Sequence, residues 1–213
     1  MTRKRRCPAD IICGDADTGA RPRILGTMLD KPPYIVAVGG TLRPGSSTEK
    51  AMRHVLGAAE RAGARVLLLS GAALQLPIYQ PDNSDRSDAA RELVAQLALA
   101  DGIILGSPGY HGSISGLVKN ALDYAEDLRN DARPYFSGRA VGCIATAGGW
   151  PGAVNTLGAL RDIVHSLRGW PTPMGAAINT SDKVFDEAGA CTSPRVAQML
   201  DLIAAEVLDF IKR

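Results

Sequence analysis

The sequence predicts a three-layer α/β sandwich, and three observations carry that reading. Short apolar, β-rich runs alternate with helical stretches five times between residues 34 and 211, with no repeat or linker between them. The strand runs are continuously apolar rather than alternating, as expected when helices cover both faces of a parallel sheet. Polar, glycine-bearing turns follow the first, third and fourth runs, at the carboxyl ends where such sheets bind ligands.

The elements follow in order. Tyr34-Ile35-Val36-Ala37-Val38 is a strand that ends in Gly39-Gly40, a tight turn. Ser46 to Ala62 reads as a helix, with Ser46, Ser47 or Thr48 as N-cap and Gly63 just past its end. Ala64 to Leu69 is a second strand, followed by a loop holding Leu76-Pro77-Ile78-Tyr79 and Pro81-Asp82-Asn83. Ser87 to Ala100 is helical, with Leu93, Leu97 and Ala100 on one face, and Gly102 to Gly106 is a third strand. Ser115 to Leu128 is a helix, Ala140 to Ala145 a fourth strand, and Pro151 to Arg168 a helix stopped by Gly169. Trp170-Pro171-Thr172-Pro173 is a rigid approach to a fifth strand, Met174 to Ile178, and Ser193 to Ile211 is the closing helix.

Composition bounds the function. The 213 residues suit one domain with an extension, and 46% hydrophobic with 22% charged residues excludes wholesale disorder. No run approaches the ~18–20 apolar residues of a membrane-spanning helix. The net charge of +2 gives no overall reason to expect nucleic acid as a partner. That average hides an uneven distribution. Residues 1–27 hold six basic residues (Arg3, Lys4, Arg5, Arg6, Arg21, Arg23) and three acidic ones (Asp10, Asp15, Asp17), a balance of +3. The remainder holds 18 basic and 19 acidic residues, a balance of −1. Residues 1–27 show no periodicity and are expected to be a disordered basic extension, with 28–213 as the folded domain. Thr2-Arg3-Lys4-Arg5-Arg6 resembles the start of a signal peptide, but Cys7-Pro8-Ala9-Asp10 stands where the apolar stretch should be. The expectation is a cytoplasmic protein with reduced thiols. Cys7, Cys13, Cys143 and Cys191 form no closely spaced ligand pair, so no metal site is expected.

The loop after the first strand is Gly39-Gly40-Thr41-Leu42-Arg43-Pro44-Gly45-Ser46-Ser47-Thr48. Its glycine spacing matches a P-loop, but Ser46 replaces the lysine that a nucleoside triphosphatase needs. G-x-G-x-x-G is absent too, so the standard dinucleotide fingerprint is missing. What remains is a hydroxyl-rich loop opening a helix: Thr41, Ser46, Ser47 and Thr48 offer hydroxyls, the helix start offers free N–H groups, and Arg43 offers charge-assisted bonds. That set suits a single phosphate monoester without a metal. A helix cap alone needs one such residue, not three plus an arginine. After the third strand, Pro108, Gly109, Tyr110, His111, Gly112 and Ser113 form an open backbone with one flat aromatic surface, suited to one edge and face of a planar ring. After the fourth, Thr146, Ala147, Gly148 and Gly149 precede Trp150-Pro151, where backbone N–H groups and a helix start can turn toward a ligand.

Thr41-Leu42-Arg43-x-x-Ser46-Ser47, together with Pro108-x-Tyr110-x-x-Ser113-x-x-Gly116-x-Val118-Lys119-Asn120-Ala121-x-Asp123, resembles the NAD(P)H-dependent FMN reductase family over roughly residues 34–210. The resemblance implies a flavodoxin-like fold with a five-stranded parallel sheet in the order 2-1-3-4-5. It implies that Thr41, Arg43, Ser46, Ser47 and Thr48 hold the FMN phosphate. Pro108, Gly109, Tyr110, His111 and Ser113 would meet the ring and ribityl chain, and the Thr146–Gly149 loop its pyrimidine end. Two residues depart from the pattern: His111 stands where many members have Asn, and Ser115 where many have Pro. The implied activity is hydride transfer from NADPH or NADH to FMN and on to an acceptor, with free flavin for a monooxygenase partner favoured over a quinone, azo compound or metal oxyanion. No protein residue is expected to be catalytic, because the flavin carries the chemistry. A homodimer or homotetramer is implied by the same resemblance. A non-enzymatic electron carrier would be strongly acidic, and the −1 balance argues against one; an FMN-binding sensor with a basic tail is the third class. Leu76-Pro77-Ile78-Tyr79 resembles a family loop near the flavin or a subunit contact. His54 and His165 fall inside helices and read as structural.

Overall fold

The computed structural model describes residues 31–213. The basic extension expected over 1–27 lies outside the described residues. Seven strands and five α-helices follow in chain order: β1 (Tyr34–Gly39), α1 (Ser47–Arg61), β2 (Arg65–Leu69), α2 (Asp88–Leu99), β3 (Gly102–Tyr110), β4 (Ser113–Ile114), α3 (Gly116–Asp123), β5 (Ala140–Ala147), α4 (Trp150–Ser166), β6 (Trp170–Pro171), β7 (Ala176–Asn179) and α5 (Pro194–Ile211). The strand residues alternate between two apolar layers. Val36 and Val38 of β1 face the layer made with α2, α3 and α4, including Leu93, Val118 and Leu160. Ile35 and Ala37 face the layer made with α1 and α5, including Met52, Val55 and Ile203. Both faces are buried, which is why the strands read as unbroken apolar runs. Among the described residues no helix is long and apolar enough to cross a membrane.

The sheet differs from the expected five parallel strands in the order 2-1-3-4-5. It has seven strands along the path β2-β1-β3-β5-β6, with β4 on β3 and β7 on β5. Two causes account for the difference. The expected fifth strand is two short ones, both parallel to β5: β6 beside Ala140 and Val141, and β7 beside Ile144 to Ala147. The Trp170 and Thr172 N–H groups still donate to the Arg139 and Val141 carbonyls, at 2.9 and 3.0 Å, but Pro173 cannot donate to a ladder, so the chain leaves the sheet there and side chains satisfy its backbone. Arg161 Nη2 donates to the Pro173 carbonyl at 2.8 Å, and the Met174 N–H donates to Glu206 Oε2 at 2.8 Å. The second cause is a hairpin where an open loop was expected. Gly109 pairs with Ile114 and Tyr110 with Ser113, antiparallel, around His111 (φ 51) and Gly112 (φ 87). Two successive left-handed residues form the tight turn that matches strand twist, and His tolerates that region better than most side chains.

The far end of the sheet is closed by a buried cation. Arg139 is 0% exposed and donates to Ala100 O at 2.9 Å, Ala98 O at 2.7 Å and Tyr135 O at 2.8 Å. It thereby satisfies carbonyls at the C-terminal end of α2 that have no helical partner. Burial, with Arg133 alongside, lowers its guanidinium to about 10, so it is still charged at neutral pH. Cys143 is buried in β5 and its thiol is pushed up to about 12, which makes it an inert core residue.

At the other end, β1 and β3 touch through glycine. A Cβ on Gly39 would sit 1.8 Å from the Gly106 carbonyl oxygen, and Gly39 has φ +148. Gly39→Ala is therefore expected to cost more than about 2 kcal/mol, from backbone clash and strain together. Urea unfolding monitored by far-UV circular dichroism measures it, and a midpoint equal to the parent's would refute the argument.

Candidate functional site

The first wall of the site is the start of α1. Beyond Gly39, the chain turns at Gly40, whose N–H donates to Gly106 O at 3.0 Å. Thr41 Oγ1 accepts from the Arg43 N–H at 3.1 Å, which tightens the loop, and Gly45 takes φ +66. Ser46 is the N-cap: its Oγ accepts from the Glu49 N–H at 3.3 Å. Glu49 reaches back and accepts from the Gly45 N–H at 3.2 Å. This is a capping box displaced by one residue, and it holds the loop against the helix. The Ser47 and Thr48 N–H groups have no intrahelical acceptor, so they remain available beside the Ser47 hydroxyl. Arg43 is exposed and enters none of the ion pairs among the described residues.

The second wall is the end of β3. Gly109 lies against α4 so closely that a Cβ there would meet Thr156 Oγ1 at 2.5 Å. Ser107 is buried; its Oγ donates to Pro108 O at 2.9 Å and accepts from the Ser115 N–H at 2.9 Å. The backbone of Pro108 and Gly109 is thus fixed, while Tyr110 stands 55% exposed at the rim. The third wall is the turn after β5. Thr146, 3% exposed, shares a 2.6 Å hydrogen bond with Thr48 and so ties this turn to α1.

These walls enclose a cavity of about 340 Å³, within the range of small-molecule sites. Thr41, Arg43, Ser46, Ser47 and Thr48 line one end. Pro108, Gly109 and Tyr110 line the side, and Thr146, Ala147 and Gly148 the opposite wall. Three segments 40 to 100 residues apart are therefore brought to one place. His111, Gly112, Ser113 and Gly149 are not at this wall; the first three lie on the hairpin beyond Tyr110. On the other side of Thr41 and Tyr110 a second hollow of about 240 Å³ opens toward Leu42 and Leu117.

Sequence reading missed Thr180. It lines the cavity, and its Oγ1 donates to Ala147 O at 3.1 Å. Ser181 Oγ donates to Gly148 O at 2.9 Å. The signal was present: Asn179-Thr180-Ser181-Asp182 is a polar turn at the carboxyl end of the fifth strand position, where the ligand-edge rule applies equally. The Glu49 back-bond was also legible as Ser46-x-x-Glu49. His54 pairs with Asp201 of α5 at 3.0 Å and is not among the cavity's lining residues.

The model of the NADPH-dependent FMN reductase family matches residues 33–183. The chain belongs to that family. An FMN-dependent NADPH-azoreductase of Staphylococcus aureus is 41% identical over 100 residues, covering 47% of this chain and 50% of that protein. The match thus spans about half the length of that relative. Among solved structures, FerB, a flavoenzyme NAD(P)H:(acceptor) oxidoreductase from Paracoccus denitrificans, superposes with a TM-score of 0.70 at 23% identity, covering 84% of this chain and 97% of that one. A WrbA-like flavodoxin from Agrobacterium tumefaciens gives 0.57 at 18%, covering 85% and 98%. At those identities the two structures establish the flavodoxin-like fold.

The residues present fit FMN at its phosphate. An exposed Arg43 outside the ion pairs of the described residues, the Ser47 hydroxyl and open helix N–H groups line one cavity with Tyr110, Pro108 and small residues. Within this loop the roles of the two serines separate. Ser46→Ala removes the cap and is expected to cost about 1 kcal/mol of stability, whereas Ser47→Ala leaves stability within about 0.5 kcal/mol. Thermal unfolding of the two variants checks this, and equal losses would contradict it.

Proposed function

We propose that this family member binds FMN in the cavity between α1, β3 and the β5–α4 turn, and reduces a small planar acceptor at the expense of NADPH or NADH. The single observation that carries the proposal is the convergence of Arg43 and the α1 start on one end of a pocket whose rim is Tyr110. Bound FMN would take hydride from the nicotinamide and pass electrons to the second acceptor. The protein's own part is binding and orientation. Arg43, Ser47 and the first-turn N–H groups hold the phosphate, and the fixed Pro108–Gly109 backbone sets the height of the ring. The Thr146–Gly149 turn supplies N–H groups where negative charge grows on reduction.

The name of the azoreductase relative favours an azo acceptor, taken at the open Tyr110 rim. Delivery of free reduced flavin to a monooxygenase is the other destination, and retention of flavin through gel filtration distinguishes the two. Residues 28–213 form the reductase domain in this proposal, with 1–27 as an appended basic segment, and the protein acts in the cytoplasm as a homodimer or homotetramer.

Anaerobic addition of NADPH or NADH to the FMN-loaded protein is expected to bleach the 450 nm region flavin band within seconds. Reduction by neither nucleotide overturns the reductase assignment. Arg43→Ala is expected to weaken FMN binding by about tenfold or more, the scale of one charge-assisted contact. An unchanged affinity in a fluorescence titration would remove Arg43 from the phosphate site.

A further inference from the structure

A second chamber lies directly behind the wall of the flavin cavity. Its volume is about 330 Å³, and Trp150, Asp182, Val184, Arg195 and Met199 are among its lining residues. One partition separates the two spaces. Gly148 lines the first and Trp150 the second; Thr180 lines the first and Asp182 the second. Residues two apart along a chain are separated by at most ~7 Å, so the two chambers are neighbours on either side of two short turns. Those turns are locked together by the Thr180 Oγ1–Ala147 O and Ser181 Oγ–Gly148 O bonds, at 3.1 and 2.9 Å. The partition is therefore rigid, and a ligand reaching both chambers must pass over it.

The chemistry of the second chamber is selective. Trp150 is 51% exposed although it carries a large apolar ring, and Val184 and Met199 add apolar side chains to the same lining. Arg195, exposed in the first turn of α5, enters none of the ion pairs among the described residues. The helix end itself is already capped, since Ser193 Oγ accepts from the Val196 N–H, so the free positive charge is that of Arg195. Asp182 uses one carboxylate oxygen on Asn179 Nδ2 at 3.1 Å and keeps the other for a hydroxyl donor. A planar ring, a hydroxyl-bearing linker and an anion are thus offered complementary groups in one hollow.

We propose that this chamber binds the adenosine-phosphate half of the nicotinamide dinucleotide. The base lies against Trp150, a ribose hydroxyl donates to Asp182 and a phosphate meets Arg195, while the nicotinamide half crosses the partition to the flavin cavity. This rests on the FMN-reductase reading above. It also explains how the chain manages without G-x-G-x-x-G: the dinucleotide is held by side chains of the β5–α4 and β7–α5 segments rather than by a glycine-rich turn.

The test uses the full chain with saturating FMN and two fragments as probes, 2′,5′-ADP for the phosphorylated dinucleotide and ADP for the unphosphorylated one, each followed by isothermal titration calorimetry. Saturable binding is expected, weakened about tenfold or more in Arg195→Ala and in Trp150→Leu. FMN affinity, read by absorbance on the same samples, is expected to stay at the parent value in both variants. A parent that holds FMN but shows no saturable binding of either fragment overturns this inference alone, as does equal binding in parent and Arg195→Ala. A parent that binds no FMN overturns the flavin reading and this inference with it.

Discussion

The whole ligand edge depends on two strands being allowed to meet where both carry glycine. With no side chain at Gly39 or Gly106, the end of β1 approaches the β3 carbonyls and then turns sharply at Gly40. That turn delivers the start of α1 above the sheet rather than beside it. Gly106 extends the same constraint to the helix, because a Cβ there would meet Met52 Sδ at 2.5 Å. The close approach of α1 in turn puts Thr48 within 2.6 Å of Thr146 on β5. One steric allowance thereby sets the spacing of three loops, and each loop can then be short and well determined.

The layers and their order along the chain were legible because burial on both faces leaves an unmistakable mark: apolar runs such as Ile35–Val38 admit no solvent-facing alternation. Helix ends were legible for a local reason, since Ser46, Ser87, Ser115 and Ser193 each accept from a first-turn N–H. The breaks in the sheet were not. Trp170–Pro173 reads as a rigid lead into a strand starting at Met174, yet at Pro173 and Met174 the backbone is satisfied by Arg161 and Glu206 from two other elements, and no local pattern announces such partners. The hairpin at His111 was hidden by the opposite problem. Its turn needs two left-handed residues, and only Gly112 advertises one; His111 adopts the conformation because the β3–β4 pairing on either side compels it.

The site was legible to the extent that ligand chemistry is written in single loops. Arg43 and the hydroxyls around it stand together in the sequence, and they stand together in the fold. Thr180 comes from a segment whose meaning is set by tertiary bonds to Ala147, so it carries no signature of its own beyond its place at a strand end. Tyr110 is intermediate: its residue type suggested a ring surface, and its exposure at the rim follows from the hairpin.

The distribution of perturbed acids and bases fits this division of labour. Tyr34 and Tyr79 are raised chiefly by burial, and Arg86 is raised chiefly by its hydrogen bonds to Asp127. With Arg139 and Cys143, these shifted groups all lie away from the cavity lining. Enzymes that move protons with side chains concentrate such shifts at the reacting centre. Here the shifts mark structural packing, as where Arg86 bridges Asp127 and the Tyr79 ring at 4.7 Å. The cavity instead offers hydroxyls, backbone N–H groups and one guanidinium that enters none of the ion pairs among the described residues. Such a lining suits binding and orienting a ligand through hydrogen bonds and one positive charge. That is what a protein requires when the electron chemistry belongs to the bound group and the fold's task is to hold that group in a fixed field.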